Sequence, residues 1–321
     1  MGLAITPCKD GDETTAFAKA RSTGIDAVDL GWSWLELEEE AGVFATQLLD
    51  SANSLYSVAG LKVIIMLNPI ESDRRALPPD LETLEFDDPL VISRFETMIE
   101  TLLQHLSGLD IEAILIGNEA TVYLTDNPSE LDDYRALVEA ASTHIKSIRP
   151  GIEIGVQGTF ETLFNEEIET LSSALDILAL SYYPYAEKEG HLGVPDLAAV
   201  EEDLARLVTL GNGKKIYIPE LGYSTSGILD SSEEEQRDFV REFFRVWDRH
   251  EDSFRYVEFL ILHDVDPDWM SELFTVLGLD AHPFRDELFA GWVYGGMRTH
   301  DCKDKLAFPA FREEARARGW E

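Results

Sequence analysis

Short runs of β-branched and aliphatic residues alternate with longer amphipathic stretches along the whole chain. The short runs are typical of buried parallel strands, and the longer stretches place apolar residues at the spacing of one helix face. The pattern predicts strands at 3–6, 27–31, 62–67, 113–117, 153–157, 177–181, 215–219 and 257–263. It predicts helices at 12–21, 45–59, 91–107, 129–148, 162–171, 197–210 and 233–249.

Strands that alternate with helices belong to the α/β class, because crossover helices join parallel strands. Eight such units in 321 residues fit a single (β/α)8 TIM barrel, which takes roughly 250 residues plus loop insertions. A doubly wound nucleotide-binding sheet is disfavoured, since no glycine-rich phosphate loop follows the first strand. We therefore expect one catalytic barrel domain over residues 1–321.

The charge balance narrows the possible partners. Sixty-two acidic and 26 basic residues give a net charge of −36, which repels nucleic acid and anionic membranes. The acidity fits either a high-salt habitat or ordinary acidic solubility. Apolar runs are too short to span a bilayer, and the sequence as written opens without a secretory signal, so we expect a cytoplasmic protein, or a secreted one if a signal was removed. Nothing in the sequence indicates an oligomeric state.

Two cysteines, Cys8 and Cys302, are too few for a disulfide framework or a thiolate metal cluster. Two free thiols are the simplest expectation. In the predicted barrel, however, Cys8 follows strand 1 and Cys302 follows strand 8, and these strands are neighbours. A disulfide between them is therefore the alternative.

The C-terminal ends of the predicted strands carry polar and aromatic residues, and barrel enzymes place their sites at this face. Carboxylates, amides and aromatic rings at one mouth suit a sugar, which needs hydrogen bonds to its hydroxyls and flat rings against its C–H faces. The residues predicted to bind substrate are Trp32, Trp34, Asn68, Asn118, Gln157, Tyr183, His263 and Trp269. For His263, a structural role is an equal alternative.

Two glutamates follow apolar strands directly. Glu119 ends strand 4 and Glu220 ends strand 7, about three βα units apart, so we expect them to face each other. A retaining glycosidase needs two carboxyls about 5–5.5 Å apart, one as general acid/base and one as nucleophile. The pair predicts this chemistry, although either glutamate alone is an ordinary surface acid.

These segments resemble glycoside hydrolase clan A, whose members carry an Asn-Glu acid/base and a Glu nucleophile. The resemblance rests on Ile116-Gly117-Asn118-Glu119 and Ile218-Pro219-Glu220. Within the clan, the Ser181-Tyr182-Tyr183-Pro184-Tyr185 and Glu220-Leu221-Gly222-Tyr223 segments are most similar to the endo-β-1,4-galactanase family. The resemblance implies a retaining hydrolase of β-linked glycans, with β-1,4-galactan as one substrate and β-mannan, β-glucan or a β-galactoside as alternatives.

The resemblance also assigns roles to single residues. Glu220 must be ionised to attack, and Glu119 must carry a proton to the leaving oxygen. Asn118 would contact the sugar 2-hydroxyl. Tyr183 is expected to orient Glu220, with Tyr182 as the competing candidate because a shift of one residue exchanges the faces of a strand.

No metal or other cofactor is predicted, because the histidines show no metal-ligand spacing and no strand end carries a catalytic lysine. Two other classes of function remain to be compared with the hydrolase. A barrel can bind carbohydrate without cleaving it, and the intact Glu119 and Glu220 argue against that. A barrel aldolase or isomerase would need the lysine or metal that the strand ends lack.

Overall fold

A computed structural model describes residues 1–320 of the chain. Every predicted strand overlaps an observed one, although the predicted strand at 3–6 does so only at Leu3 and the predicted strand at 257–263 only over 257–260. The strands are β1 Gly2–Leu3, β2 Ala27–Ser33, β3 Lys62–Glu71, β4 Asp110–Asn118, β5 in two segments, Glu153–Gly155 and Gln157–Thr159, β6 Ile177–Tyr182, β7 Lys215–Gly222 and β8 Phe254–Leu260. Shorter strands at Arg74–Arg75, Ala186–Lys188 and His191–Gly193 lie in loops.

Helices follow the strands. They are α1 Glu13–Arg21, α2 Trp34–Leu37, α3 Thr46–Tyr56, α4 Pro89–His105, α5 Ala120–Asp126, α6 Leu131–Ile148, α7 Glu166–Ser173, α8 Leu197–Gly211, α9 Glu233–Arg249, α10 Pro267–Val276, α11 Arg285–Val293 and α12 Ala307–Ala317. Polar caps fix several starts: the Asp12 carboxylate accepts from the Thr15 amide at 2.7 Å, and Ser232 caps α9 before an acidic first turn. The predicted helix at 233–249 matches α9 at both ends.

The chain forms two compact units. Unit 2 comprises residues 27–181 and 214–217. In it, β2, β3, β4 and the first segment of β5 pair in parallel and in chain order, with Ala27 opposite Lys62 and Ile114 opposite Ile154. The second segment of β5 pairs in parallel with β6. The middle of β4 is fully buried, as expected of a strand covered on both faces.

Unit 1 comprises residues 1–26, 182–213 and 218–321. In it, β1 pairs in parallel with β8, and β8 lies beside β7. Cys8 and Cys302 form a disulfide that closes a separation of 294 residues. Of the two states that the sequence left open, the structure contains the bonded one.

Candidate active site

Glu119 stands where β4 turns into α5. Its backbone is left-handed, with φ of 45°, and it occupies the N-cap of the helix. Gly117 before it has φ of 92°, and a side chain there would lie 2.5 Å from the Tyr134 hydroxyl. That hydroxyl donates to the Ile116 carbonyl at 2.8 Å. The turn therefore needs glycine at 117, and it lifts Glu119 out of the buried strand into a half-buried position.

Two serine hydroxyls hold the Glu119 carboxylate. Ser181, at the end of β6, donates to Oε1, and Ser72, in the loop after β3, donates to Oε2 at 3.2 Å. Each carboxylate oxygen thus has its own hydroxyl partner.

Amide groups line the neighbouring strand ends of unit 2. Asn68 and Asn118 each have a buried side-chain oxygen, Oδ1. Within residues 1–320, neither oxygen accepts a hydrogen bond. Gln157, on β5, is fully buried. A buried acceptor without a donor costs about 1–3 kcal/mol. A ligand hydroxyl would remove that cost at Asn68 and Asn118.

Glu220 lies near the C-terminal end of β7, half-buried, and accepts a hydrogen bond from the Tyr183 hydroxyl at 2.8 Å. Tyr182 points elsewhere and donates to Asp203 on α8 at 3.0 Å. The Tyr183 ring packs against Gly222, where an added Cβ would lie 2.4 Å from a ring carbon. The Tyr183 ring also stacks on the Tyr185 ring, with the two ring centroids 6.4 Å apart.

A cavity of about 180 Å³ lies beside Tyr183 and Gly222. Its walls are mostly apolar and come from the end of β8, from α10 and from α11. Trp292 on α11 lines it and is 38% exposed, which leaves part of the indole open to a ligand. The cavity therefore combines an aromatic surface with the phenol that contacts Glu220.

Trp34 is not a stacking surface, contrary to the sequence prediction. It is fully buried, its indole N–H donates to Glu38 at 2.8 Å, and its ring packs 4.8 Å from Phe95. The reason is that Ser33 ends β2 and caps α2, so Trp34 begins a helix and turns into the core.

For His263, the contacts support the structural role, which the sequence left open as the alternative to substrate binding. Its Nδ1 donates to the Thr6 carbonyl at 2.6 Å, and its Nε2 lies 3.1 Å from the Arg298 guanidinium, which donates to it. Burial lowers the pKa of His263, and both ring nitrogens already have hydrogen-bond partners within the protein. Of the remaining tryptophans, Trp32 is half-buried and Trp269 on α10 is 55% exposed.

Ser72, Ser181 and Gly222 were not predicted as site residues from the sequence. Ser72 lies in a loop with no distinctive motif, whereas Gly222 was visible in the Glu-Leu-Gly-Tyr segment as a residue without a side chain next to an aromatic cluster. Among residues 1–320, no group of three or more His, Cys, Asp or Glu side chains is placed to hold a metal ion. No helix in that range is long and apolar enough to cross a membrane.

No protein-family model and no curated protein sequence matches this chain. Solved structures do share its fold. A variant of the GH5_18 protein of Streptomyces cattleya, in complex with Manβ1-4GlcNAc, is 16% identical with a TM-score of 0.74 over 99% of this chain and 80% of its own. The exo-β-1,4-mannosidase Op5Man5 of Opitutaceae bacterium strain TAV5 is 17% identical with a TM-score of 0.73, over 98% of this chain and 59% of its own. GH5_18 of Bifidobacterium longum subsp. longum is 18% identical with a TM-score of 0.70, over 98% and 78%.

This likeness shows the fold. The predicted (β/α)8 barrel is confirmed, and the three structures named above share it.

Proposed function

We propose that this protein is a retaining β-glycosidase in which Glu220 is the nucleophile and Glu119 is the general acid/base. The observation that carries the proposal is the bond from the Tyr183 phenol to Glu220 at the end of β7. A phenol that donates to a carboxylate favours its ionised form and fixes its direction, which are the two requirements of a carboxylate nucleophile. The fold shared with glycoside hydrolases supports the same conclusion.

The reaction proceeds in two displacements. Glu220 attacks the anomeric carbon while Glu119 gives its proton to the departing glycosidic oxygen, and a covalent glycosyl ester forms on Glu220. Glu119, now a carboxylate, removes a proton from a water molecule as that water attacks the same carbon, and the ester bond to Glu220 breaks. The anomeric configuration is inverted twice and therefore retained.

Asn118 and Asn68 supply hydrogen bonds to the sugar in this proposal. Their buried side-chain oxygens have no donor in the described chain and accept from sugar hydroxyls. Asn118 precedes the acid/base, so its partner would be the hydroxyl next to the reacting carbon. That bond strengthens as positive charge develops on the ring.

For the substrate, we propose a β-linked mannoside. Proteins of this fold include an exo-β-1,4-mannosidase and one bound to Manβ1-4GlcNAc. The expected galactan substrate has less support, because none of these structures is a galactanase and Leu221 stands where the galactanase family has threonine. β-Glucan and β-galactosides remain comparison substrates.

The test is a substrate panel with matched variants. Wild-type protein is assayed on 4-nitrophenyl β-mannoside, Manβ1-4GlcNAc, β-mannan, β-1,4-galactan and β-glucan. We expect the highest kcat/KM on a β-mannoside and loss of at least about 10³-fold in Glu119→Ala and Glu220→Ala on natural substrates. Glu82→Gln, an exposed acid, is the control and should match wild type. Full activity in either alanine variant would refute the assignment.

The panel also distinguishes a non-catalytic carbohydrate-binding barrel. Such a protein would bind oligosaccharides in calorimetry but release no reducing ends from any substrate.

A further inference from the structure

We propose that Ser72 and Ser181 are positioning residues that hold the Glu119 carboxyl in one orientation through both halves of the reaction. The inference rests on the proposed function and deepens it. Neither serine is expected to touch the reacting atoms, since both act through Glu119.

The two serines bind different oxygens of the Glu119 carboxyl. Ser181 lies at the end of β6, is 2% exposed and donates to Oε1. Ser72 donates to Oε2 at 3.2 Å. A carboxyl with one hydroxyl on each oxygen cannot rotate without breaking at least one bond.

Ser72 is itself fixed, although it lies in a loop. Its amide donates to the Asn118 carbonyl at 2.8 Å, and its carbonyl accepts from the Tyr123 amide at 3.1 Å. Its backbone has φ of 52°, a conformation that a serine adopts only when its surroundings hold it. These contacts attach the loop after β3 directly to the residue before Glu119 and to α5 after it.

Hydroxyls suit a group that changes its protonation state. A serine can donate to a carboxylate and can accept from a carboxylic acid, whereas lysine, arginine and backbone amides can only donate. A partner that can only donate bonds more strongly to the charged carboxylate than to the neutral acid, so it would resist protonation of Glu119. The two serines can therefore keep their hydrogen bonds to Glu119 both when its carboxyl is protonated and when it is ionised.

The first measurement does not depend on activity. The carboxyl carbon of Glu119, assigned by comparison with Glu119→Gln, is followed by 13C NMR across pH in wild type, Ser72→Ala and Ser181→Ala. Removing a donor disfavours the ionised form, so we expect the titration midpoint to rise in each alanine variant relative to wild type. Ser181→Thr keeps the hydroxyl and should restore the wild-type midpoint.

The second measurement compares leaving groups. A mannoside with a dinitrophenyl leaving group needs no proton to depart, while a disaccharide does. We expect kcat/KM of Ser181→Ala to fall about tenfold on the disaccharide and to change less than about twofold on the dinitrophenyl substrate.

Ser232→Ala is the matched control. Its hydroxyl also bonds a glutamate, Glu235, at 3.0 Å, but as the cap of α9. It should lower stability and leave both readouts unchanged. An unchanged NMR midpoint in Ser72→Ala and Ser181→Ala, or equal losses on both leaving groups, would overturn the inference. If wild type hydrolyses nothing, the proposed function fails, and the NMR titration still decides whether the serines hold the carboxyl.

Discussion

Gly222→Ala tests whether the hydrogen bond from the Tyr183 phenol to Glu220 requires a residue without a side chain at position 222. The added methyl would lie 2.4 and 2.6 Å from two carbons of the Tyr183 ring. Carbon atoms normally pack about 3.5–4.0 Å apart, so the ring has to retreat by about 1 Å. The hydroxyl now lies 2.8 Å from Glu220, and a movement of that size takes it beyond hydrogen-bonding distance.

The expected cost in activity follows from that displacement. A misplacement of about 1 Å near reacting groups can cost about 10²-fold, which is ~2.7 kcal/mol of transition-state stabilisation. Overpacking should also destabilise the fold by about 1–3 kcal/mol. The activity of the folded protein is therefore measured below its unfolding transition, as kcat/KM on the best mannoside of the panel.

Two comparisons complete the test. Gly227→Ala is the control, since nothing lies within 4 Å of a Cβ added there. Tyr183→Phe removes only the hydroxyl, and the double variant Gly222→Ala/Tyr183→Phe should lose little more than the larger single loss, because both changes break one bond. Wild-type kcat/KM in Gly222→Ala, or fully additive losses in the double variant, would refute the reasoning.

The other predictions concern stability and substrate contact. Reduction of the Cys8–Cys302 disulfide, which closes 294 residues, should lower the free energy of unfolding by up to about 5 kcal/mol in urea titrations with and without dithiothreitol; equal curves would refute this. The lowered pKa of His263 means that the unfolded chain binds a proton more readily than the folded one. The free energy of unfolding should therefore fall as the pH drops below about 6.5, and it should fall less steeply with pH in His263→Gln. Trp34→Ala should cost about 3–5 kcal/mol of stability with little change in KM, whereas Trp292→Ala should raise KM; the reverse pattern would restore Trp34 as a ligand.

The barrel strands were predictable because each is a short apolar run between amphipathic helices. β3 and α9 show this well: the predicted strand at 62–67 lies inside Lys62–Glu71, and α9 has a serine cap and an acidic first turn that mark its start. Helices α10 to α12, in the long region after β8, were not predicted, and neither were the short helices α2 and α5. The pattern along α11 has no preferred face, although its Ala290 and Val293 are buried.

Individual side-chain directions were harder to predict than strands. Trp32 and Trp34 both follow the predicted strand at 27–31, but the cap at Ser33 makes Trp34 the first residue of a helix and buries it. His263 looked like a mouth residue, yet Thr6 and Arg298, distant in sequence, occupy both nitrogens. Such contacts depend on tertiary packing and leave no local signal. The same holds for Ser72, whose place in the site depends on its hydrogen bond to Glu119, 47 residues away in the sequence.

Covalent trapping of the nucleophile tests the central claim most directly. A 2-deoxy-2-fluoro mannoside with a dinitrophenyl leaving group slows the second displacement, so the sugar accumulates on the attacking carboxylate. Mass spectrometry of the intact protein and its peptides should show one added sugar, located on Glu220, and none on Glu220→Ala. Turnover of the β-mannoside without any labelled protein, or a label on a different residue, would contradict the assignment of Glu220.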